Sequence, residues 1–229
     1  MRYAVFSDVH SDHAALRTVL SAMAGHRPDW FVSLGDLFDC KISKHALDIS
    51  ITDAGQVVDP PGEIALALRG LPLILVRGNQ EERITRLLPD QRWTPVWVAA
   101  AMTAPVSRTT ELLMFTHGHE LPWRAAGPGA WCPDPEAPDR PVVVHGHHHH
   151  ARRYHRSGGH LYTRTVRFGQ AVPLADHSTD FINVGPCHGR RPTWALIDEA
   201  ARTVTHYQEC TCRAGSSCST QTRRGSHTY

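Results

Sequence analysis

Asp8-Val9-His10 ends the first apolar run of the chain, and four further fragments follow in order: Gly35-Asp36, Gly78-Asn79, His117-Gly118-His119 and Gly146-His147-His148-His149. Each fragment comes directly after a strand-like stretch, and loops beyond strand ends are where a rigid sheet presents functional side chains. A lone Asp-x-His or Gly-Asp occurs by chance in many turns, whereas five such fragments in order are hard to explain as turns. The pattern indicates a chemical site built on an α/β sheet.

The fragments share one kind of chemistry, because their side chains are metal ligands. They supply two carboxylates, one amide and four imidazoles, which is enough for two ions: Asp8, Asp36, Asn79, His10, His117, His147 and His149. Oxygen and imidazole donors suit divalent Mn, Fe or Zn, and the absence of Cys from these positions disfavours a thiolate zinc site. Two ions that share a carboxylate can hold one phosphate while a bridging hydroxide attacks phosphorus in line.

The same fragments resemble the motifs of the calcineurin-like metallophosphoesterases, over residues 1 to about 200. The resemblance implies one metal held by Asp8, His10 and His149 and a second held by Asn79, His117 and His147, with Asp36 bridging. Family members use Mn, Fe, Zn or Ni, so the resemblance leaves the identity of the two ions open. It also implies a layered α/β/β/α fold.

One motif departs from the family pattern. Many members carry Gly-Asn-His, with a His that protonates the leaving oxygen, and this chain reads Gly78-Asn79-Gln80-Glu81. The amides of Asn79 and Gln80 can hydrogen-bond a phosphate but cannot deliver a proton. In this motif the chain resembles the small one-domain bacterial and archaeal phosphodiesterase-like branch of the family, which also includes a protein-binding scaffold. Retention of all seven metal positions favours an enzyme over a scaffold.

The proton donor must then lie elsewhere. His119 is two positions beyond a ligand and is the first candidate, either as the acid or as a residue that positions the substrate. His13 is the second candidate and His188 the third. The alternative is that His119 only supports the ligands. Asp39, in Gly35-Asp36-Leu37-Phe38-Asp39, is similar to the family's aspartate that orients a ligand His.

Two insertions follow metal motifs and are candidates for substrate binding. Residues 39–59 carry Lys41, Lys44, His45 and Asp53, and residues 121–140 carry Trp123, Arg124 and Trp131. A loop of about 20 residues without periodicity is uncommon unless it serves a site. We expect 121–140 to form a wall or lid, with Arg124 contacting phosphate. The alternative is a surface loop that the tryptophans pin to the core.

Later residues give weaker signals. His188 and Arg190 follow Asn183-Val184-Gly185-Pro186 and could line the cleft, although Arg190 and Arg191 also fit a solvated pair. His148 and His150 alternate with the ligands and are expected to face away from the metals. Cys210 and Cys212 lack the matching second pair of a zinc site.

Periodicity places the main elements. Strands are predicted at 2–6, 30–34, 73–76, 112–116, 142–145, 161–168, 181–184, 193–198 and 203–207, with helices at 11–23 and 61–68. Strand and helix alternate in the first half, and strands dominate after residue 110. The predicted fold class is α/β, a two-sheet sandwich flanked by helices. Residues 1–209 form its domain, and 210–229 are expected to be a flexible tail.

Composition narrows the partners. The 229 residues are 41% hydrophobic, enough for one core, and the net charge of +2 disfavours nucleic acid and anionic membrane. No apolar run is long enough to span a membrane, and Met1 leads directly into the first strand, so we expect a cytoplasmic protein without a signal peptide. A homo-oligomer is left open.

The leading function hypothesis is a two-metal phosphoesterase acting on a small phosphorylated metabolite or nucleotide. A monoester is slightly favoured because four arginines near the motifs could hold a dianion: Arg77, Arg83, Arg124 and Arg190. The alternatives are a cyclic or nuclease-like phosphodiesterase, a non-catalytic metal-binding scaffold and, most remotely, a redox or metal sensor built on the cysteine tail.

Overall fold

The computed structural model describes most of the chain, namely residues 1–44, 51–88, 94–127, 130–134, 136–138, 140–174, 176 and 178–212. His45, Cys218 and nearly all of the predicted tail lie outside these ranges.

The first sheet combines three strands from the N-terminal part of the chain with three strands from its C-terminal part. Its parallel strands are β1 (Arg2–Phe6), β2 (Trp30–Ser33) and β3 (Leu73–Leu75). Three antiparallel strands complete it from the chain's end: β11 (Ala171–Pro173), β13 (Thr193–Asp198) and β14 (Thr203–Gln208). The order is β11-β14-β13-β1-β2-β3, so β1 lies in the interior of the sheet.

The second sheet also has six strands. They are β4 (Ser107–Thr109), β5 (Leu113–Thr116), β8 (Val142–His145), β9 (Arg152–Ser157), β10 (His160–Arg164) and β12 (Thr179–Asn183). The order is β10-β9-β12-β8-β5-β4, with β5, β8 and β12 parallel. The remaining strands, β6 (Trp123–Gly127) and β7 (Ala130–Pro133), form a separate hairpin.

Alternation along the strands decides which faces are apolar. In β1, Tyr3 and Val5 pack between the two sheets, whereas Ala4 and Phe6 face the helices. In β8, Val142 and Val144 point into the inter-sheet core and Val143 points to the opposite face. Successive strand residues point to opposite faces, so each of these strands is buried on both sides and reads as a continuous apolar run.

Four helices pack on the outer face of the first sheet, all contributing to one core cluster. They are α1 (His13–Gly25), α2 (Gly62–Leu68), α3 (Asn79–Leu87) and α4 (Val96–Thr103). Helix α1 begins where Asp12 accepts a hydrogen bond from the Ala15 amide at 3.0 Å. None of the described helices has the length and apolar content needed to cross a membrane.

The described residues of the 121–138 segment cover part of the outer face of the second sheet. Leu121, Cys132 and Ala137 pack there against Val143 and Phe181. The fourth layer of this sandwich therefore contains a β-hairpin among the described residues, in the place where the predicted layering has a helix. The two-sheet α/β sandwich flanked by helices is confirmed.

The boundaries show where periodicity was informative. The predicted strands at 2–6, 142–145 and 193–198 are confirmed with their ends, and the helix predicted at 11–23 is two residues late at each end. The strand predicted at 161–168 ends at Arg164, where β10 loses its partner β9. Helices α3 and α4, strands β4, β9 and β11, and the β6–β7 hairpin were not predicted, because most of them are short and several, such as β9, carry polar sequence.

The insertion at 39–59 is packed rather than open where it is described. Cys40 pairs with Val58 in a β-bridge, and Val57 and Val58 are buried in the helix-side core. Lys41 donates to the Gly55 carbonyl at 2.9 Å and lies 3.3 Å from Asp59. Lys41 is therefore engaged within the insertion itself.

Candidate metal centre

Parallel strands of both sheets deliver the motif residues to one edge of the sandwich. Asp8, Asp36 and Asn79 follow β1, β2 and β3, while His117 follows β5 and the 147–149 segment follows β8. Backbone hydrogen bonds lock these loops together: the His10 amide donates to the Asp36 carbonyl at 3.0 Å and the Gly146 amide to the His117 carbonyl at 3.0 Å. The seven candidate ligands below are Asp8, His10, Asp36, Asn79, His117, His147 and His149.

One half of the cluster surrounds the Asp8 carboxylate. His149 Nε2 lies 3.3 Å from Asp8 Oδ1 and 3.2 Å from His10 Nε2. The His147 backbone amide donates to Asp8 Oδ2 at 3.1 Å. Asp8 therefore also fixes the backbone of residues 146–150, called the histidine loop below. This is the set that the family resemblance assigns to one metal.

The other half surrounds His117. Its Nε2 lies 2.9 Å from Asn79 Oδ1, and its ring centroid lies 5.2 Å from that of His147. Asp36 Oδ2 is 3.5 Å from His117 Nε2 and 3.9 Å from His10 Nε2. Asp36 thus stands between the two halves, where a carboxylate shared by two ions would have to lie.

The donor set fits divalent cations. Asp8 Oδ1 is buried and has no hydrogen-bond partner in the described structure. Burial, the largest cause, lowers the pKa of His117 to about 3 and that of His147 to about 4, so both rings are neutral ligands near neutral pH. Burial and then the charges of Glu81 and Asp8 raise the pKa of Asp36 well above its usual value. A bound cation would offset the repulsion among the carboxylates of Asp8, Asp36 and Glu81.

The backbone at the centre is strained. Five of the seven candidate ligands have positive φ without being glycine: Asp8 (55°), His10 (49°), Asp36 (52°), His147 (71°) and His149 (52°). Left-handed backbone at such residues costs roughly 1 to 3 kcal/mol each and persists only where surrounding structure imposes it. The concentration of this strain at the ligands indicates a functional site.

Glu81 is a central residue that the sequence analysis did not single out. It is 1% exposed, and its carboxylate accepts hydrogen bonds from the amides of Asp36 (2.8 Å), Leu37 (2.8 Å), Phe38 (3.4 Å) and Gly78 (2.9 Å). It therefore joins the Gly35-Asp36 loop to the Gly78-Asn79 loop. The signal that could have found it is the acidic residue that ends the family's Gly-Asn motif.

Close approach explains the glycines in both loops. A Cβ on Gly35, whose φ is 102°, would overlap the backbone of Gly78, and a Cβ on Gly78 would overlap the Asp36 carboxylate. Only glycine permits two loops to meet backbone to backbone in this way.

Two further residues contact candidate ligand histidines. Asp39 Oδ1 lies 2.5 Å from His10 Nδ1, which is the contact that the predicted orienting role of Asp39 requires. His188 Nε2 lies 3.4 Å from His149 Nδ1, and the His10, His149 and His188 nitrogens form one compact group. The loop that carries His188 is tied to α1, because the Gly189 amide donates to Asp12 Oδ2 at 2.9 Å.

His119 lies at the rim of the His117 half. Its ring centroid is 5.3 Å from that of His117 and 6.3 Å from that of His147. Its Nε2 is 3.2 Å from Glu82 Oε1 without hydrogen-bond geometry, and the side chain is 13% exposed. The structure thus brings His119 to the centre, with a carboxylate behind it.

Gln80 contributes mainly through its backbone. Its backbone amide donates a hydrogen bond to Asp36 Oδ1 at 2.8 Å. Its side-chain oxygen accepts from Arg83 at 2.9 Å and from the Cys40 amide at 3.4 Å, which ties α3 to the 39–44 segment. The side chain predicted to contact phosphate is therefore engaged with protein.

Several side chains predicted to donate a proton or to contact the substrate are not brought to the centre. His13 is exposed and lines a surface pocket with Arg17 and Ala67. Arg124 is exposed on β6 with its Nε 3.3 Å from Cys132 Sγ, and Arg190 is exposed. In none of these cases does a described contact join the side chain to the seven candidate ligands. Closeness along the sequence did not determine where these side chains point.

The arginines nearest the motifs are engaged as well. Arg77 donates to the Met102 carbonyl at 3.2 Å and lies 3.8 Å from Glu82. Arg83 donates to Gln80 and to the Ile42 carbonyl. The expectation that these two guanidinium groups hold a phosphate dianion is not supported by their contacts.

A cavity of about 340 Å³ lies beside the histidine loop. His147 and His149 form part of its lining, and Trp131 of the β6–β7 hairpin also lines it. His148, expected on a hydrophilic surface, is half-buried there, with its ring centroid 4.3 Å from that of Trp123. The described part of the β6–β7 hairpin therefore lines a cavity next to the candidate metal centre and also covers the second sheet.

Known proteins share this architecture. A family model described as calcineurin-like phosphoesterase matches residues 1–194. A metallophosphoesterase from Sphaerobacter thermophilus is similar in structure, with a TM-score of 0.60 at 20% identity, over 91% of this chain and 88% of that chain. A hypothetical protein from Pyrococcus horikoshii gives a TM-score of 0.53 at 10% identity, over 93% and 89%.

A phosphoesterase from E. coli, Yfce, gives a TM-score of 0.46 at 18% identity, covering 93% of this chain and 100% of that chain. No curated protein matches the sequence significantly. The structural likenesses show the fold, and the family model, which matches well over half of the chain, shows the family. The chain therefore belongs to the calcineurin-like phosphoesterases, a family of hydrolases that depend on a dinuclear metal centre and act on phosphate esters.

Proposed function

We propose that the protein hydrolyses a small phosphorylated metabolite or nucleotide at two divalent cations. The observation that carries this proposal is the convergence of the seven candidate ligands, with Asp36 placed between His10 of the Asp8 half and His117 of the other half. Asp8, His10 and His149 would hold one ion, Asn79, His117 and His147 the other, and Asp36 both. Manganese is the first metal to test, because oxygen and imidazole donors suit it.

Different residues of the chain would bind the cations, orient the ligands and protonate the leaving group. The bound cations would supply Lewis acidity toward the phosphate and a water activated as nucleophile. Asp39 and His188 fix the orientation of His10 and His149. Glu81 holds the Asp36 loop in its strained form, so the carboxylate geometry is set before substrate arrives. The leaving oxygen would need a proton, and His119, at the rim of the His117 half, is the candidate side chain to donate it.

The substrate test compares two aryl esters. Metal-stripped protein should be inactive, and added Mn²⁺ should restore hydrolysis of nitrophenyl phosphate, of bis-nitrophenyl phosphate, or of both. The ratio of the two rates decides between a monoester and a diester preference. Protein that binds two metal ions per chain yet cleaves neither ester with Mn, Fe, Zn or Ni would instead be a scaffold.

A phosphodiester is the second candidate substrate, and one observation favours it. The cavity beside His147 and His149 gives room for a second group on phosphorus. The slight preference for a monoester rests on the four arginines near the motifs, and two of these, Arg77 and Arg83, are engaged with protein. We therefore treat the two ester classes as equal candidates in the rate comparison.

His119→Ala tests the proton donor. A general acid contributes about 10² to 10⁴ in rate when the leaving group is basic, and little when it is nitrophenolate. We expect the variant to lose at least about 10²-fold on an alkyl phosphate and much less on the nitrophenyl ester. His13→Ala, at the exposed start of α1, is the matched control and should behave as wild type. Equal losses on both esters for His119→Ala would leave His119 a supporting residue.

A further inference from the structure

The cavity beside the histidine loop is lined both by candidate metal ligands and by the histidines that alternate with them. His147 and His149 belong to the seven candidate ligands, whereas His148 and His150 alternate with them along the chain. All four line the cavity, together with Trp131, Arg152 and Tyr154. Whatever occupies the cavity would therefore lie directly against the metal centre.

Trp131 presents an aromatic ring whose exposure the core does not explain. The side chain is 46% exposed, although Trp123 on the paired strand is partly buried. Its ring is nearly parallel to that of His148, at an interplanar angle of 4° with the centroids 6.4 Å apart. A flat ligand that stacks on one of these two rings would therefore lie parallel to the other as well.

The position of Trp131 is fixed by hydrogen bonds on both sides of the hairpin. Tyr154 donates its hydroxyl to the Trp131 carbonyl at 2.6 Å. On the other strand, Trp123 donates its indole N–H to the Gly118 carbonyl at 2.7 Å, next to the ligand His117. An aromatic ring carried by an anchored strand and left half in solvent is an arrangement that flat ligands use for stacking.

Size and polarity narrow the ligand. A volume of about 340 Å³ is at the lower end of small-molecule sites and suits one ring system rather than a polymer. Arg152 adds a guanidinium to the lining, a donor suited to a carbonyl edge or to a phosphate. A flat, polar-edged ring attached to a phosphate ester is the chemistry of a nucleotide.

We propose that this cavity is a nucleobase subsite, in which the base of a nucleoside phosphate ester stacks on Trp131 beside His148 while its phosphate lies at the metal centre. The inference rests on the proposed phosphoesterase function and names its substrate class. Trp131 would be the residue that determines specificity for the base.

The kinetic test uses two diesters with the same leaving group. Thymidine 5′-nitrophenyl phosphate carries a base, and methyl nitrophenyl phosphate does not. For Trp131→Ala we expect the ratio of kcat/KM values, thymidine ester over methyl ester, to fall about tenfold or more, as found when a stacking aromatic is truncated. Trp131→Phe should restore most of the ratio. Trp30→Ala, at a tryptophan 37% exposed on another surface, should leave the ratio unchanged.

A binding experiment separates this inference from the proposed function. Isothermal titration calorimetry should show thymidine 5′-monophosphate binding to wild-type protein, and Trp131→Ala should weaken its Kd about tenfold, whether or not either ester is hydrolysed. Circular dichroism of each variant checks the fold. An unchanged ratio, or equal losses on both esters with an unchanged Kd, would overturn the subsite. Loss of all hydrolysis with base binding intact would overturn only the phosphoesterase proposal.

Discussion

Asp36→Asn should reduce kcat by at least about 10³-fold while the metal-free protein remains folded. Asp36 Oδ2 lies within 4 Å of both His10 and His117, so its charge is the one that both proposed ions would share. Losing several kcal/mol of charge stabilisation corresponds to a loss of this size, because each 1.36 kcal/mol is tenfold in rate. Steady-state kinetics at saturating Mn²⁺, with metal content measured, give the result.

Two controls make the Asp36 result specific. Asp59→Asn removes an exposed carboxylate, which lies 3.3 Å from Lys41, and should leave kcat unchanged. Without metal, Asp36→Asn should not lower the free energy of unfolding, since it relieves repulsion among Asp8, Asp36 and Glu81. If the variant kept a near wild-type rate with two ions bound, the shared-carboxylate mechanism would be wrong.

Glu81→Ala should destabilise the metal-free protein by about 3 kcal/mol and also weaken metal binding. Its carboxylate accepts from four backbone amides, and a buried donor left without an acceptor costs about 1 to 3 kcal/mol. Relief of repulsion with Asp36 offsets only part of this loss. Urea unfolding of the metal-free protein measures the first effect, and titration with Mn²⁺ measures the second.

Glu81→Gln separates the hydrogen bonds from the charge. The amide keeps one acceptor oxygen at the same place, so we expect a smaller loss of stability than for Glu81→Ala. Glu63→Ala, at an exposed position in the first turn of α2, is the matched control and should change stability little. Equal stability of Glu81→Ala and wild-type protein would show that Glu81 does not hold the two loops.

The candidate ligands could be predicted because sequence and geometry are directly linked there. Residues that directly follow buried parallel strands must meet at one edge, so Asp8, Asp36 and His117 converge whatever the detailed loop conformation. Asp39 could be predicted because Gly35-Asp36-Leu37-Phe38-Asp39 resembles a family motif. Glu81 was missed although it ends the Gly78-Asn79-Gln80-Glu81 motif, because its partners are backbone amides, which the sequence does not reveal.

Substrate contacts were harder to predict, because a side chain's direction depends on its local element. Arg124 lies on a strand that turns its guanidinium toward Cys132, and His13 lies on the exposed face of α1. His148 was expected to be in solvent and lies under Trp123 instead. The β6–β7 hairpin that decides the positions of Arg124 and His148 has short strands without apolar alternation, so periodicity could not reveal it.

The strained backbone of the ligand loops has a consequence for protein engineering. Five ligands hold left-handed conformations that glycine would adopt without penalty. Replacing them should often raise the melting temperature even though it destroys the metal centre. A mutant library screened for heat resistance alone would therefore enrich inactive proteins, and a thermostable active variant must be sought with the ligand loops held constant and the changes confined to the rest of the sandwich.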